Sequence, residues 1–144
     1  MDDVQAVTFK KALPDDVDVS RLLLKLDQQR FPVNALLNEI KSNYVTVNKV
    51  FDGDFIAGIL VMRAFKSYDG ALCVEIDHIV AEDKPQRAFG DVLKPVLFDW
   101  IRQAGFDKLY QHTHTPALAR ALRSVYGEAK EFIFVKDFRG VENG

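Results

Sequence analysis

The sequence predicts an α/β domain: a mixed central sheet in the order β-α-α-β-β-β-α-β-α-β, with helices on both of its faces. Three observations carry that expectation. The apolar period changes from about 3.6 residues to two after Ser42, which separates two early helices from a run of strands. Asp52-Gly53-Asp54 and Tyr68-Asp69-Gly70 then punctuate apolar runs as tight turns, so three strands follow as antiparallel hairpins. Finally, Phe89, Val92, Leu93, Val96, Leu97, Trp100 and Ile101 recur at steps of three, four and one. That amphipathic stripe ends before Gly105 and makes a β-α-β crossover.

Each element has its own signal. Val4 to Ala12 alternates as a first strand, and Leu13-Pro14-Asp15-Asp16 breaks it. Acidic residues there suit the positive end of a helix over about Asp16–Arg30, where Val19, Leu22, Leu23 and Leu26 share a face. Pro32 opens a second helix, to about Ser42, carrying Val33, Leu36, Leu37 and Ile40. Tyr44, Val45, Val47 and Val50 form the second strand. Phe55 to Phe65 is nearly all apolar and belongs at the centre of the sheet, with Gly58 marking a bulge or a close backbone approach. Ala71 to Ala81 places Leu72, Val74 and Ile76 on one face and Cys73, Glu75 and Asp77 on the other. Pro95 should kink the amphipathic helix. Leu109 to Thr115, Ala117 to Tyr126 and Phe132 to Phe138 complete the order as strand, short helix and strand.

Composition excludes several classes. The 144 residues suit a single domain, 1–144, with no repeat or linker. A net charge of −2, from 19 basic and 21 acidic residues, gives no sign of a nucleic-acid or membrane surface. A single cysteine, Cys73, rules out an internal disulfide and a cysteine-rich zinc site. Between flanking Leu72 and Val74 it reads as buried packing. With no apolar run of membrane length and an acidic start at Met1-Asp2-Asp3-Val4, the expectation is a soluble, cytoplasmic protein. His112 and His114 alternate on one strand face, and His78 could join them. No carboxylate at helical spacing accompanies them, so they read as polar cleft residues and no metal site is assigned.

The element order resembles the GNAT superfamily of acyl-CoA-dependent N-acyltransferases over nearly the whole chain. Three stretches carry the likeness. Val50-Phe51-Asp52-Gly53-Asp54-Phe55-Ile56-Ala57-Gly58-Ile59 resembles the family's second hairpin. Ile79-Val80-Ala81 leads through a loop to Gly90 and a long helix ending at Gly105-Phe106. Ala119 and Leu122 precede Tyr126-Gly127 as in the family's last short helix. Compact GNAT-like proteins of tailed phages look similar, which would place this chain in a host cytoplasm.

The resemblance implies acetyl-CoA as cofactor and transfer of its acetyl group to an amine of a protein or small molecule. It implies that Ile79, Val80 and Ala81 hold the pantetheine by strand-like pairing, and that Gln86, Arg87, Ala88, Phe89 and Gly90 meet the pyrophosphate. Such a loop works through backbone N–H groups at a helix start, where glycines allow close approach. Glu75 or Asp77 would be the general base and Tyr126, or a histidine, the acid. Lys84, Arg87, Lys94 and Arg102 are either phosphate contacts or a solvated helix face.

The family loop reads Gln/Arg-x-x-Gly-x-Gly/Ala, and this sequence departs from it. One register gives Pro85-Gln86-Arg87-Ala88-Phe89-Gly90, with Pro85 and Ala88 at the key places. The other, Arg87-Ala88-Phe89-Gly90-Asp91-Val92, ends on Val92. The family's Asn falls on Pro116, and its Tyr falls near Arg123 or Ser124. Asp83, Pro85 and Gln86 also resemble a helix start, with Asp83 as cap. Two alternatives follow: an open loop before Gly90, or a helix from Lys84 whose backbone is already spent. The second favours a GNAT-fold binding module that acts on a host or virion protein rather than by catalysis.

Overall fold

A computed structural model describes residues 6–27, 33–84, 86–111, 120, 122–124, 126–127 and 136. The chain divides into two units, Met1–His112 and Thr113–Gly144. In the first unit the elements are β1 (Val7–Lys11), α1 (Val17–Asp27), α2 (Val33–Lys41), β2 (Thr46–Asp52), β3 (Phe55–Lys66), β4 (Leu72–Ala81), α3 (Phe89–Leu93), α4 (Leu97–Gln103) and β5 (Lys108–Gln111). The five strands lie in sequence order in one sheet. The first four pair antiparallel, and β5 joins β4 in parallel. A mixed sheet is what two short hairpins followed by one helical crossover must give.

The sheet buries both faces. Val19, Leu22 and Leu23 of α1, with Leu36 and Ile40 of α2, pack with Val47, Ile59, Val61 and Val80 on the first face. On the second, Phe89, Val92 and Leu93 of α3 and Leu97 and Ile101 of α4 pack with Val50, Ala57, Leu60, Met62, Val74 and Ile76. Trp100 stacks on Phe9, ring centroids 4.0 Å apart.

Local chemistry sets the ends. The Val19 N–H donates to Asp16 Oδ1 at 3.1 Å, so Asp16 caps α1 from outside rather than starting it. Asn43, at φ 63°, follows α2 in the left-handed conformation that asparagine tolerates. The long amphipathic helix is interrupted rather than kinked: α3 ends at Leu93 and α4 starts at Leu97. Pro95 has no N–H to donate to the Asp91 carbonyl, and its ring crowds that turn. Both halves keep their apolar faces on the same core, which is why the periodicity ran through the break.

Two bulges reverse the strand faces. Ala57 lies in the second core and Ile59 in the first, although strict alternation would put both on one side. Register confirms the extra residue, since Val50 faces Gly58 while Phe51 faces Ile56. In β4, Ile76 faces Met62 and His78 faces Val61, so Asp77 is the extra residue. Val74 and Ile76 thus face the second core and Val80 the first.

Both expected roles of Gly58 hold. A β-carbon there would sit 2.5 Å from the Val80 carbonyl oxygen and collide with the Phe89 ring. Phe89, the first residue of α3, therefore seats on bare backbone. Gly58→Ala should destabilise the protein by about 1–3 kcal/mol, as overpacking does. Chemical denaturation measures it, and an unchanged midpoint would refute the seat.

In the second unit, Gly127 at φ 86° donates its N–H to the Arg123 carbonyl at 2.9 Å. It terminates the helical turn that includes Leu122–Ser124 and Tyr126, as a glycine just past a helix does. The start of that helix, the last strand over Phe132 to Phe138 and the strand residues beyond Gln111 lie outside the described residues.

Candidate active site

The β4 bulge lies directly after the last described rung of the β4–β5 ladder. Their parallel ladder runs from Cys73–Lys108 to Ile76–Gln111. Among the described residues, Asp77–Ala81 pair only with β3. The resemblance places the cofactor arm along the other edge of that segment, opposite β5 residues beyond Gln111 that lie outside the described residues. Ile79 is 41% exposed there, whereas the Val80 side chain belongs to the first core. The Ala81 carbonyl accepts from Lys25 Nζ at 2.6 Å, so that group of the expected pairing edge is already engaged from α1.

Glu75 and Asp77 both lie on the first face, on either side of a cation that the sequence reading overlooked. Arg63 of β3 is the register partner of Glu75. It donates to Glu39 of α2 at 2.8 Å and to Asp77 at 3.2 Å and 3.3 Å. Glu75 also faces Tyr110 of β5 in register. In a bulge the two residues share a side, so His78 flanks Asp77 on the first face. Burial pushes the His78 imidazole below its ordinary value, against the pull of the Asp77 charge, so it is neutral at neutral pH. Cys73 is fully buried on the same face, in the packing role expected of it.

The loop ahead of α3 is open. Helix begins at Phe89, not Lys84, and Ala88 precedes it without a side-chain cap. Asp83 is not a helix cap; it pairs with Lys25 at 2.8 Å. The Asp91 and Val92 N–H groups donate to the Ala88 carbonyl, while those of Phe89 and Gly90, at the first turn, have no acceptor within the helix. Gly90 has nothing within 4 Å of where its β-carbon would be. Neither crowding nor backbone conformation inside the protein demands glycine, which costs a helix about 1 kcal/mol relative to alanine. Close approach by something outside the chain would. Val92 is buried in the second core, so in the register Arg87–Val92 the final residue faces the protein, whereas Gly90 is exposed. The residues present thus fit an anionic group at this loop.

Arg87, expected to meet that group, is held by Asp52 of the β2–β3 hairpin. Its Nε and Nη2 donate to the Asp52 carboxylate at 2.9 Å and 2.8 Å. Gln86 and Ala88 are exposed. At the other end of the loop, Glu82 receives two bonds from Arg21, at 2.7 Å and 2.6 Å. Among the described residues no group of three or more His, Cys, Asp or Glu is placed to hold a metal ion. No described helix is long and apolar enough to cross a membrane. His112, His114 and Pro116 lie outside the described residues.

Tyr126 belongs to the second unit, where burial pushes its phenol up to about 12. It therefore stays protonated at neutral pH, as a proton donor must.

The five-strand mixed sheet with helices on both faces is the fold of the GNAT acetyltransferases. Solved structures of that class superpose over almost the whole chain. A ribosomal-protein-alanine N-acetyltransferase from Brucella melitensis biovar Abortus 2308 aligns with a TM-score of 0.69 at 18% identity, covering 92% of this chain and 99% of its own. An aminoglycoside acetyltransferase from an uncultured soil metagenomic sample, solved with sisomicin, aligns at 0.63 and 15% identity, covering 91% and 94%. An acetyltransferase of Trypanosoma brucei aligns at 0.62 and 14%, covering 92% and 99%. No family model matches the sequence, and no curated protein does.

The Arg21–Glu82 pair has a pH signature. The Arg21 guanidinium holds the Glu82 carboxyl at about 2, below its ordinary 4.5. Because the folded value is depressed, the pair's stabilisation is complete above pH 4.5 and disappears as pH falls toward 2. Glu82→Gln should therefore flatten the acid dependence of the unfolding midpoint within that window and leave its slope above it unchanged. Parallel wild-type and variant curves below pH 4.5 would contradict the pairing.

Proposed function

We propose that the protein is a GNAT-type N-acetyltransferase that moves an acetyl group from acetyl-CoA to an amine. The observation that carries this reading is the open loop that follows β4, which enters α3 at Phe89 with Gly90 exposed and open space over its α-carbon. Ile79, Val80 and Ala81 would hold the pantetheine arm through backbone, with Ala81 limited to its N–H by the Lys25 bond. Gln86–Gly90 would meet the pyrophosphate, Gly90 offering the close approach. When bound, acetyl-CoA supplies an acetyl group activated as a thioester.

The chain's own work is to bind the amine in its neutral form and take its proton. Glu75 is the proposed base, acting directly or through a water. Asp77 is the other candidate, and protonating it would give up its ion pair with Arg63. Asp77 with Glu39 instead fixes Arg63 across the face that carries Glu75. Tyr126 remains the proposed acid on the strength of the resemblance and of its protonated phenol. The binding-module alternative drew on the joint loss of the loop glycine, the Asn and the usual Tyr, and a helix from Lys84 would have favoured it; α3 instead starts at Phe89.

Titration calorimetry with acetyl-CoA, and with CoA as control, tests the reading. Micromolar binding is expected; no heat at millimolar cofactor would sink it. With a panel of primary amines as acceptors, Glu75→Gln should lower thioester consumption roughly 10²-fold while leaving acetyl-CoA affinity unchanged. Equal turnover by the variant would remove Glu75 from the mechanism.

A further inference from the structure

Asp52 is an unusual residue to bury. It is 2% exposed, and Asn48 is the only other buried polar residue among those described. Removing a carboxylate from water is costly, and an apolar side chain of similar size often folds at least as well. The strand-end position does not require a charge, since the following turn is made by Gly53 at φ 63°. What Asp52 does is reach across from the β2–β3 hairpin to hold Arg87 through two nitrogens. The parallel pair of charge-assisted bonds fixes the plane of the guanidinium as well as its place.

Arg87 is 47% exposed at its side chain despite that grip. The pair uses Nε and Nη2, which leaves Nη1 outside it. Gly90 lies three residues further on, with open space over its α-carbon. The charge of Asp91 acts on Arg87 as well. Arg87 therefore offsets the one first-turn carboxylate that would repel a phosphate.

We infer that Asp52 is a positioning residue for the cofactor's diphosphate: it orients Arg87 so that the outer edge of the guanidinium faces the anion held at the Gly90 loop. The inference rests on the acyl-CoA reading and adds to it a residue on a different hairpin, with no direct contact to the cofactor. Asp52 then matters for binding only while Arg87 is present.

A double-mutant cycle on CoA affinity, read by calorimetry, tests this. Asp52→Asn and Arg87→Ala should each weaken CoA binding about tenfold, as loss of a charged hydrogen bond does. The double variant should bind no worse than Arg87→Ala alone. Added losses in the double variant would overturn the inference, as would an Asp52→Asn protein with lowered thermal stability and wild-type affinity. Should Asp52→Asn fail to fold, Arg87→Lys decides. It keeps the cation but cannot form the two-nitrogen grip, so weakened CoA binding at an unchanged unfolding midpoint supports the inference and wild-type affinity refutes it. Wild-type protein that fails to bind CoA would refute the acyl-CoA reading itself and the inference with it, a result distinct from any pattern among the variants.

Discussion

The extra residue in β4 is the constraint on which the rest of this structure depends. A strand with strict alternation would send Ile76 and Val80 to the same side of the sheet. Because Asp77 is inserted, Ile76 reaches the core beneath α3 and α4, and Val80 reaches the core beneath α1 and α2. One bulge thus lets a single strand serve two cores. It also turns Asp77 and His78 to one face. The matching bulge at Ala57 and Gly58 in β3 keeps the neighbouring strand in step. Polar groups gather where the regular sheet stops, and the candidate chemistry sits there for that reason.

The sheet, its strand order and most element ends were legible because they rest on local signals. Period-two runs, Asp-Gly turns and a glycine inside an apolar strand each act within a few residues of themselves. Gly58 could be read twice over, as bulge and as close approach, since lack of a β-carbon is the common requirement. The β4 bulge had no such flag. Asp77 and His78 carry ordinary side chains, and the insertion shows only when partner register is known. Pro95 was read as a kink because the apolar stripe continues past it; the stripe reports burial against one core, not unbroken hydrogen bonding.

The ion pairs were the least legible part of the site. Arg63 stood out in the sequence only as a charge near the end of an apolar strand, and its partners come from α2 and β4. Asp52 was read as a turn residue, although it is the buried half of a grip on Arg87. Asp83 belonged to a proposed helix start, yet it and the preceding Glu82 are held by α1 through Lys25 and Arg21. These contacts together explain why no helix forms from Lys84. The loop is anchored at Glu82, at Arg87 and, through the seat of Phe89 on Gly58, at the first residue of α3. Glycine is retained at an exposed position of the helix start, and Val92, the apparent loss from the motif, points into the core.

The central claim is that Asp77–Ala81 of β4, with the loop that follows it, is where acyl-CoA binds. Backbone amide chemical shifts of isotope-labelled protein, followed by NMR during titration with CoA, test it most directly. The account predicts that the largest changes fall on Asp77–Ala81 and on Gln86–Gly90, with the first-face residues around Leu22 and Leu36 nearly still. Changes centred elsewhere, or none at millimolar CoA, would contradict it.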